Sequence, residues 1–179
     1  MYIDSHCHLD FDVLREGLPE LLTAAARAEL SAILIPGICP DQWLEARALI
    51  ERLEEGTIKP RLYAAAGLHP WWIDGYRRVE EADGQTVERL GRELRAWVKA
   101  QRPIAIGECG LDGAIETPLA LQQLLFECQL AVATEFDLPL ILHVRRCHGE
   151  VLRCLDSVKG VRGVVHGFSG STQQAQEYW

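Results

Sequence analysis

No stretch of this 179-residue sequence stays apolar for the length of a membrane span. Met1 to Asp10 holds His and Asp where a secretory leader would place a basic run and then an apolar one. The expected compartment is therefore the cytoplasm. Cationic side chains are in deficit, with 18 Lys and Arg against 26 Asp and Glu and a formal net charge of -8. Such a chain cannot coat a nucleic-acid backbone, which needs an excess of cations. Work on the end of a strand, through metals and a few local arginines, stays open. The dinucleotide fingerprint GxGxxG, the phosphate loop GxxxxGK[ST] and the nucleophile elbow GxSxG are all missing. Gly167-Phe168-Ser169-Gly170-Ser171 is small and flexible but matches none of them. The cysteines (Cys7, Cys39, Cys109, Cys128, Cys147, Cys154) show no compact spacing. In a chain without an export signal and large enough for a core, they read as reduced apolar fillers, not as a disulfide framework.

What is present is globular. Hydrophobic residues make up 48% and charged residues 25%, which suits one domain over 1–179 with its own core. Short apolar runs alternate with longer helical stretches. Strands are expected at Tyr2–Leu9, Ala32–Pro36, Leu62–Leu68, Ile104–Glu108, Pro139–Val144 and Val161–His166. Helices are expected near 12–29, 41–54, 85–101, 117–136 and 148–158, with another opening at Ser171–Gln174. Alternation of this kind gives an α/β fold of parallel strands with crossover helices. Length alone favours an open doubly wound sheet, since a (β/α)8 barrel usually takes ~250 residues. The site chemistry favours the other choice, a TIM-type barrel with about six βα units present and its last part missing.

That chemistry begins at Asp4-Ser5-His6-Cys7-His8. Residues two apart on a strand share a face, so Asp4, His6 and His8 line up while Cys7 points away. Two neutral imidazoles so placed can share one cation; the plain alternative is a polar strand with hydrogen-bonded histidines. Glu108 ends the apolar run Ile104-Ala105-Ile106-Gly107, where a buried carboxylate needs a cation or donors. His143 follows Leu140-Ile141-Leu142, His166 follows Val164-Val165, and His69 lies just past a third strand in Gly67-Leu68-His69-Pro70. Histidines at the ends of several parallel strands fall where such folds place their sites. His148 stands apart near a helix start. Four histidines and Glu108 suit two divalent ions, with His6 and His8 on one, His143 and His166 on the other, and Glu108 between. Two such ions activate water and stabilise attacking and leaving oxygens. Imidazole-rich ligation favours zinc or manganese without excluding magnesium. Arg145 and Arg146 could meet a phosphate or be plain surface residues. Asp112 could orient a ligand or cap the next segment. Trp71 and Trp72 could stack a base, although a packed loop is the preferred reading.

Ile3-Asp4-Ser5-His6-Cys7-His8-Leu9, Gly67-Leu68-His69-Pro70, Gly107-Glu108-Cys109-Gly110-Leu111-Asp112, Leu140-Ile141-Leu142-His143 and Val165-His166-Gly167-Phe168-Ser169-Gly170 together resemble the TatD-like family of metal-dependent hydrolases, and most of all its bacterial YjjV-like branch. The resemblance implies a TIM-type barrel, a two-metal centre and deoxyribonuclease action on DNA ends. It implies His6, His8, Glu108, His143 and His166 as ligands, and places His69 against the scissile phosphate or the leaving group. It also implies two further strands, one carrying an Asp that binds metal, and this sequence has no such segment. A truncated product, a fragment and a partner-completed barrel all stay open, as do another ester or amide hydrolase and an inactive metal-binding remnant. The unpaired strand edges of such a remnant would favour self-association.

Overall fold

The computed structural model describes residues 1–54 and 60–179. Six parallel strands form a continuous curved wall: β1 (Tyr2–Asp4), β2 (Leu30–Ile35), β3 (Arg61–Ala64), β4 (Ile106–Asp112), β5 (Leu140–Arg145) and β6 (Gly163–Val165). The strand order follows the chain, β1-β2-β3 and β4-β5-β6, and an Ala66–Ile106 bridge joins the two triplets. Among the described residues β1 and β6 each have one neighbour. The helices lie outside this wall: α1 (Asp12–Arg15), α2 (Leu18–Arg27), α3 (Pro40–Glu54), α4 (Ile73–Tyr76), α5 (Asp83–Gln101), α6 (Leu119–Glu135), α7 (His148–Asp156) and α8 (Thr172–Glu177). None of the described helices is long and apolar enough to cross a membrane.

Several boundaries differ from the sequence pattern for local reasons. The expected strand through Leu9 leaves its ladder at Asp4, whose Oδ1 accepts the His6 backbone N–H at 3.0 Å and turns the chain. Pairing resumes where Cys7 N–H donates to Leu34 O. The helix expected over 12–29 divides at Gly17, with Pro19 in the first turn of α2. A 3-10 turn at Pro70–Trp72 precedes α4, and the His69 side chain caps it. β4 runs four residues past Glu108 because β5 stays beside it as far as Arg145.

The largest core cluster packs α5 and α6 on β4 and β5, with Phe126, Leu90, Leu94 and Leu111 fully enclosed. Cys109 belongs to it, facing away from the site as strand alternation requires. A second cluster seats α2 and α3 on β2 and β3 through Leu22, Ile33, Ile35, Ile50 and Leu62. Two glutamines of α6 substitute for strand pairing. Gln129 bonds both Leu68 N–H (2.7 Å) and Leu68 O (3.1 Å). Gln122 does the same at Asp112, at 2.8 Å and 3.1 Å.

The loop that carries the Trp71 region is tied to α5 by Arg89. Its guanidinium meets Glu81 at 2.7 and 2.9 Å, donates to Tyr76 O and lies 3.8 Å over the Tyr76 ring. Hydrogen bonding from Arg89 outweighs desolvation and holds the Glu81 carboxyl down to about 2, from an ordinary 4.5. A depressed carboxylate stabilises the fold fully above its unfolded value and ceases to do so below its folded one. Glu81→Gln is therefore expected to lower the melting temperature above about pH 4.5. The gap to wild type should close as pH falls toward about 2 in thermal melts across that range.

Candidate metal centre

The strand ends converge on one carboxylate. The β4–β5 register skips between Gly107 and Cys109, so Glu108 sits on a bulge opposite no partner residue. A bulge re-aims a side chain, and here it turns Glu108 onto the histidine-bearing face at 3% exposure. Glu108 Oε2 lies 3.2 Å from His6 Nε2 and 3.8 Å from His8 Nε2. Its other oxygen, Oε1, lies 3.2 Å from His143 Nδ1 and 3.6 Å from His69 Nε2. Two compact donor groups thus share one carboxylate: His6, His8 and Glu108, and His69, Glu108 and His143. Within each group the donor atoms lie within 4.8 Å of one another.

The remaining candidates lie around this pair. His166, from the end of β6, stacks flat on His6 with ring centroids 3.4 Å apart and falls in neither compact group. The second group therefore holds His69 where the sequence pattern placed His166. Arg145 lies at the rim with its Nη1 3.9 Å from Asp112 Oδ2, and Arg146 is exposed beside it. Asp112 both orients and caps. Its Oδ1 accepts Ala114 N–H at 2.8 Å, while Oδ2 meets His143 Nε2 at 3.1 Å and accepts the Trp71 indole N–H at 2.7 Å. Asp10 and Gln42 were not singled out by sequence. Gln42 donates to Asp10 Oδ2 (2.6 Å) and Pro36 O (3.2 Å) and accepts Ile38 N–H, tying the loops after β1 and β2 together.

Proton positions follow from these contacts. His69 Nδ1 accepts the Trp71 backbone N–H at 3.1 Å. A backbone amide only donates, so the His69 proton is on Nε2, facing Glu108. Burial, opposed by Glu108, holds the His69 imidazole down to about 3, so it is neutral. Burial raises the Glu108 carboxyl, but hydrogen bonds from His143, His6 and His8 outweigh it and keep Glu108 ionised. His143 stands between two carboxylates; burial lowers it, and Glu108 and Asp112 more than reverse that. His166 is lowered by burial and by His6.

The donor set fits divalent cations. Imidazole nitrogens and a carboxylate converge, and the buried Nδ1 atoms of His6 and His8 have no hydrogen-bond partner among the described residues. The family model described as TatD related DNase matches residues 3–179. The chain belongs to that family. It is 36% identical over 179 residues to the uncharacterized metal-dependent hydrolase YjjV of Escherichia coli, spanning 99% of this chain and 64% of that protein. It is 31% identical to the 3'-5' ssDNA/RNA exonuclease TatD of Enterobacter lignolyticus, over 88% of this chain and 55% of that one. The crystal structure of E. coli YjjV superposes with a TM-score of 0.79 at 35% identity, covering 99% of this chain and 64% of that one. An uncharacterized amidohydrolase from Saccharomyces cerevisiae, 19% identical, shares the fold with a TM-score of 0.80 over 98% of this chain. The TatD family and these structural neighbours are TIM-type barrels, and the six-stranded wall is part of one. The chain spans about 64% of the length of the YjjV relative.

Proposed function

We propose that this chain is a metal-dependent phosphodiesterase that removes nucleotides from DNA ends. The observation that carries the reading is Glu108, shared by two histidine groups at the C-terminal ends of the strands. His6, His8 and Glu108 would hold one divalent ion, and His143 with Glu108 the other, with His166 beside the first. When bound, such ions supply Lewis-acid polarisation of phosphoryl oxygens and acidification of water. The TatD name of the Enterobacter relative supports a nucleic-acid substrate.

The protein's own groups then have distinct tasks. Glu108 holds four imidazoles in place through one carboxylate. His143 can release the proton on its Glu108 side to take a cation, while its other nitrogen keeps Asp112 as the carboxylate that fixes its orientation. His69 serves as a donor instead of a ligand. Its Nδ1 is occupied by the Trp71 amide, and its neutral Nε2–H can bond a phosphoryl oxygen or the oxygen of the leaving group. Arg145, half exposed beside Asp112, adds a positive charge at the rim.

The test is nucleotide release from an end-labelled DNA oligonucleotide by the 179-residue chain, with manganese or magnesium and a chelator control. The expected result is metal-dependent release that the chelator stops. A chain that binds the metal and releases nothing would overturn the reading.

A further inference from the structure

Trp71 is out of keeping with a merely packed loop. It is 55% exposed, yet its indole N–H is fixed at 2.7 Å to Asp112, a carboxylate with no exposure at all. Its backbone N–H is fixed as well, to His69 Nδ1. The ring sits at the rim of the centre, with its centroid 5.6 Å from that of His69 and 6.3 Å from that of His143. Trp72 lies behind it, near parallel at 18° and 6.4 Å away. Arg145 Nη1 approaches the same Asp112 oxygen that holds the indole, so an arginine head stands beside the ring. A rigid, half-exposed aromatic face next to a cation is a stacking platform, because its ordering entropy is already spent before a ligand arrives.

We propose that the exposed face of Trp71 is a binding site for an unpaired nucleobase, with the attached phosphate directed over the histidine–glutamate centre and toward Arg145. This rests on the phosphodiesterase reading and names the substrate part that reading leaves open. Stacking does not distinguish one base from another, since every base offers a π-face. The site therefore selects single-stranded or frayed ends over a closed duplex, without sequence preference. Asp112 acts as a positioning residue, since its one carboxylate sets both the platform and His143.

The test measures binding separately from cleavage. A fluorescent single-stranded oligonucleotide with phosphorothioate linkages is titrated by anisotropy, in manganese, against one whose terminal two nucleotides are abasic. Wild type should bind the base-bearing end roughly tenfold more tightly than the abasic one. Trp71→Ala should erase that ratio by weakening only the base-bearing ligand. Trp71→Phe keeps a ring and should retain part of the ratio. Circular dichroism melts of each variant report any loss of fold. Equal wild-type affinity for both ends, or equal weakening of both in Trp71→Ala, overturns the platform. The hydrolysis reading fails separately: a protein that prefers base-bearing ends but cleaves no ordinary phosphodiester retains the platform and loses the proposed reaction.

Discussion

Glu108→Gln should reduce metal-dependent turnover by roughly 10³-fold and weaken divalent-metal binding by about 100-fold or more. The substitution keeps the size and nearly the shape of the side chain, so it tests the carboxylate's charge and its second acceptor oxygen. In the native protein one carboxylate faces Nε2 of His6 and His8 with one oxygen, and His143 and His69 with the other. An amide offers one oxygen and one NH2 in their place. The oxygen can face only one of the two groups, and the NH2 presents hydrogens to the other, where a cation needs a lone pair. Both groups should therefore weaken together. Calorimetric titration with manganese would show the loss of affinity, and oligonucleotide hydrolysis the loss of rate. A variant that keeps wild-type affinity would show that the carboxylate does not bridge, whatever happens to the rate. His6→Ala makes a useful contrast. It removes one donor from one group only, so it should weaken one class of site and leave the His143 side able to titrate.

The centre was legible in the sequence because its donors are rare residue types at the ends of apolar runs. The structure gathers His6, His8, His69 and His143, all strand-end residues in that pattern, around Glu108. Which donor sits with which was not legible. That depends on the bulge at Glu108 and on the curvature that lays His166 flat on His6, and both are set by pairing between strands distant in sequence. The role of His69 was open for a similar reason. Its proton position is decided by a backbone amide two residues on, in a 3-10 turn that apolar periodicity does not reveal. The glutamine clamps carried a faint signal: Gln122 and Gln129 lie seven apart on one face of α6, where an otherwise apolar helix would not bury amides unpaired. Their partners, Asp112 and Leu68, could not be named without the fold. Trp71 shows the limit most clearly. Its place after Pro70 suits a stacking ring or a packed one, and the 2.7 Å bond to Asp112 is what shows an exposed ring held rigid.

Gly110→Ala should cost about 3 to 5 kcal/mol of stability and take the metal centre with it. Two separate penalties act at this position. Gly110 has φ of +135°, a conformation that L side chains rarely adopt. A Cβ there would also lie 2.2 Å from the backbone oxygen of His143, well inside contact distance. The obstructing atom is backbone in a buried strand, so it cannot rotate aside; β4 and β5 must separate. They pair at Gly110–His143 and, two residues on, at Asp112–Arg145, so the separation falls on the residue that faces Glu108 and Asp112. A folded domain holds only about 5 to 15 kcal/mol in reserve, so the variant should melt far earlier or accumulate as insoluble protein. Gly84→Ala provides the control. It sits in the first turn of α5 with nothing within 4 Å of the added Cβ, so it should leave stability unchanged or raise it by up to about 1 kcal/mol. Thermal melts of the two variants should therefore move in opposite directions or differ by many degrees. Equal, small shifts would mean that β5 can yield at His143 and that the centre is softer than the interlocked strands imply. In that case metal affinity, measured on the folded Gly110→Ala protein, should be nearly native.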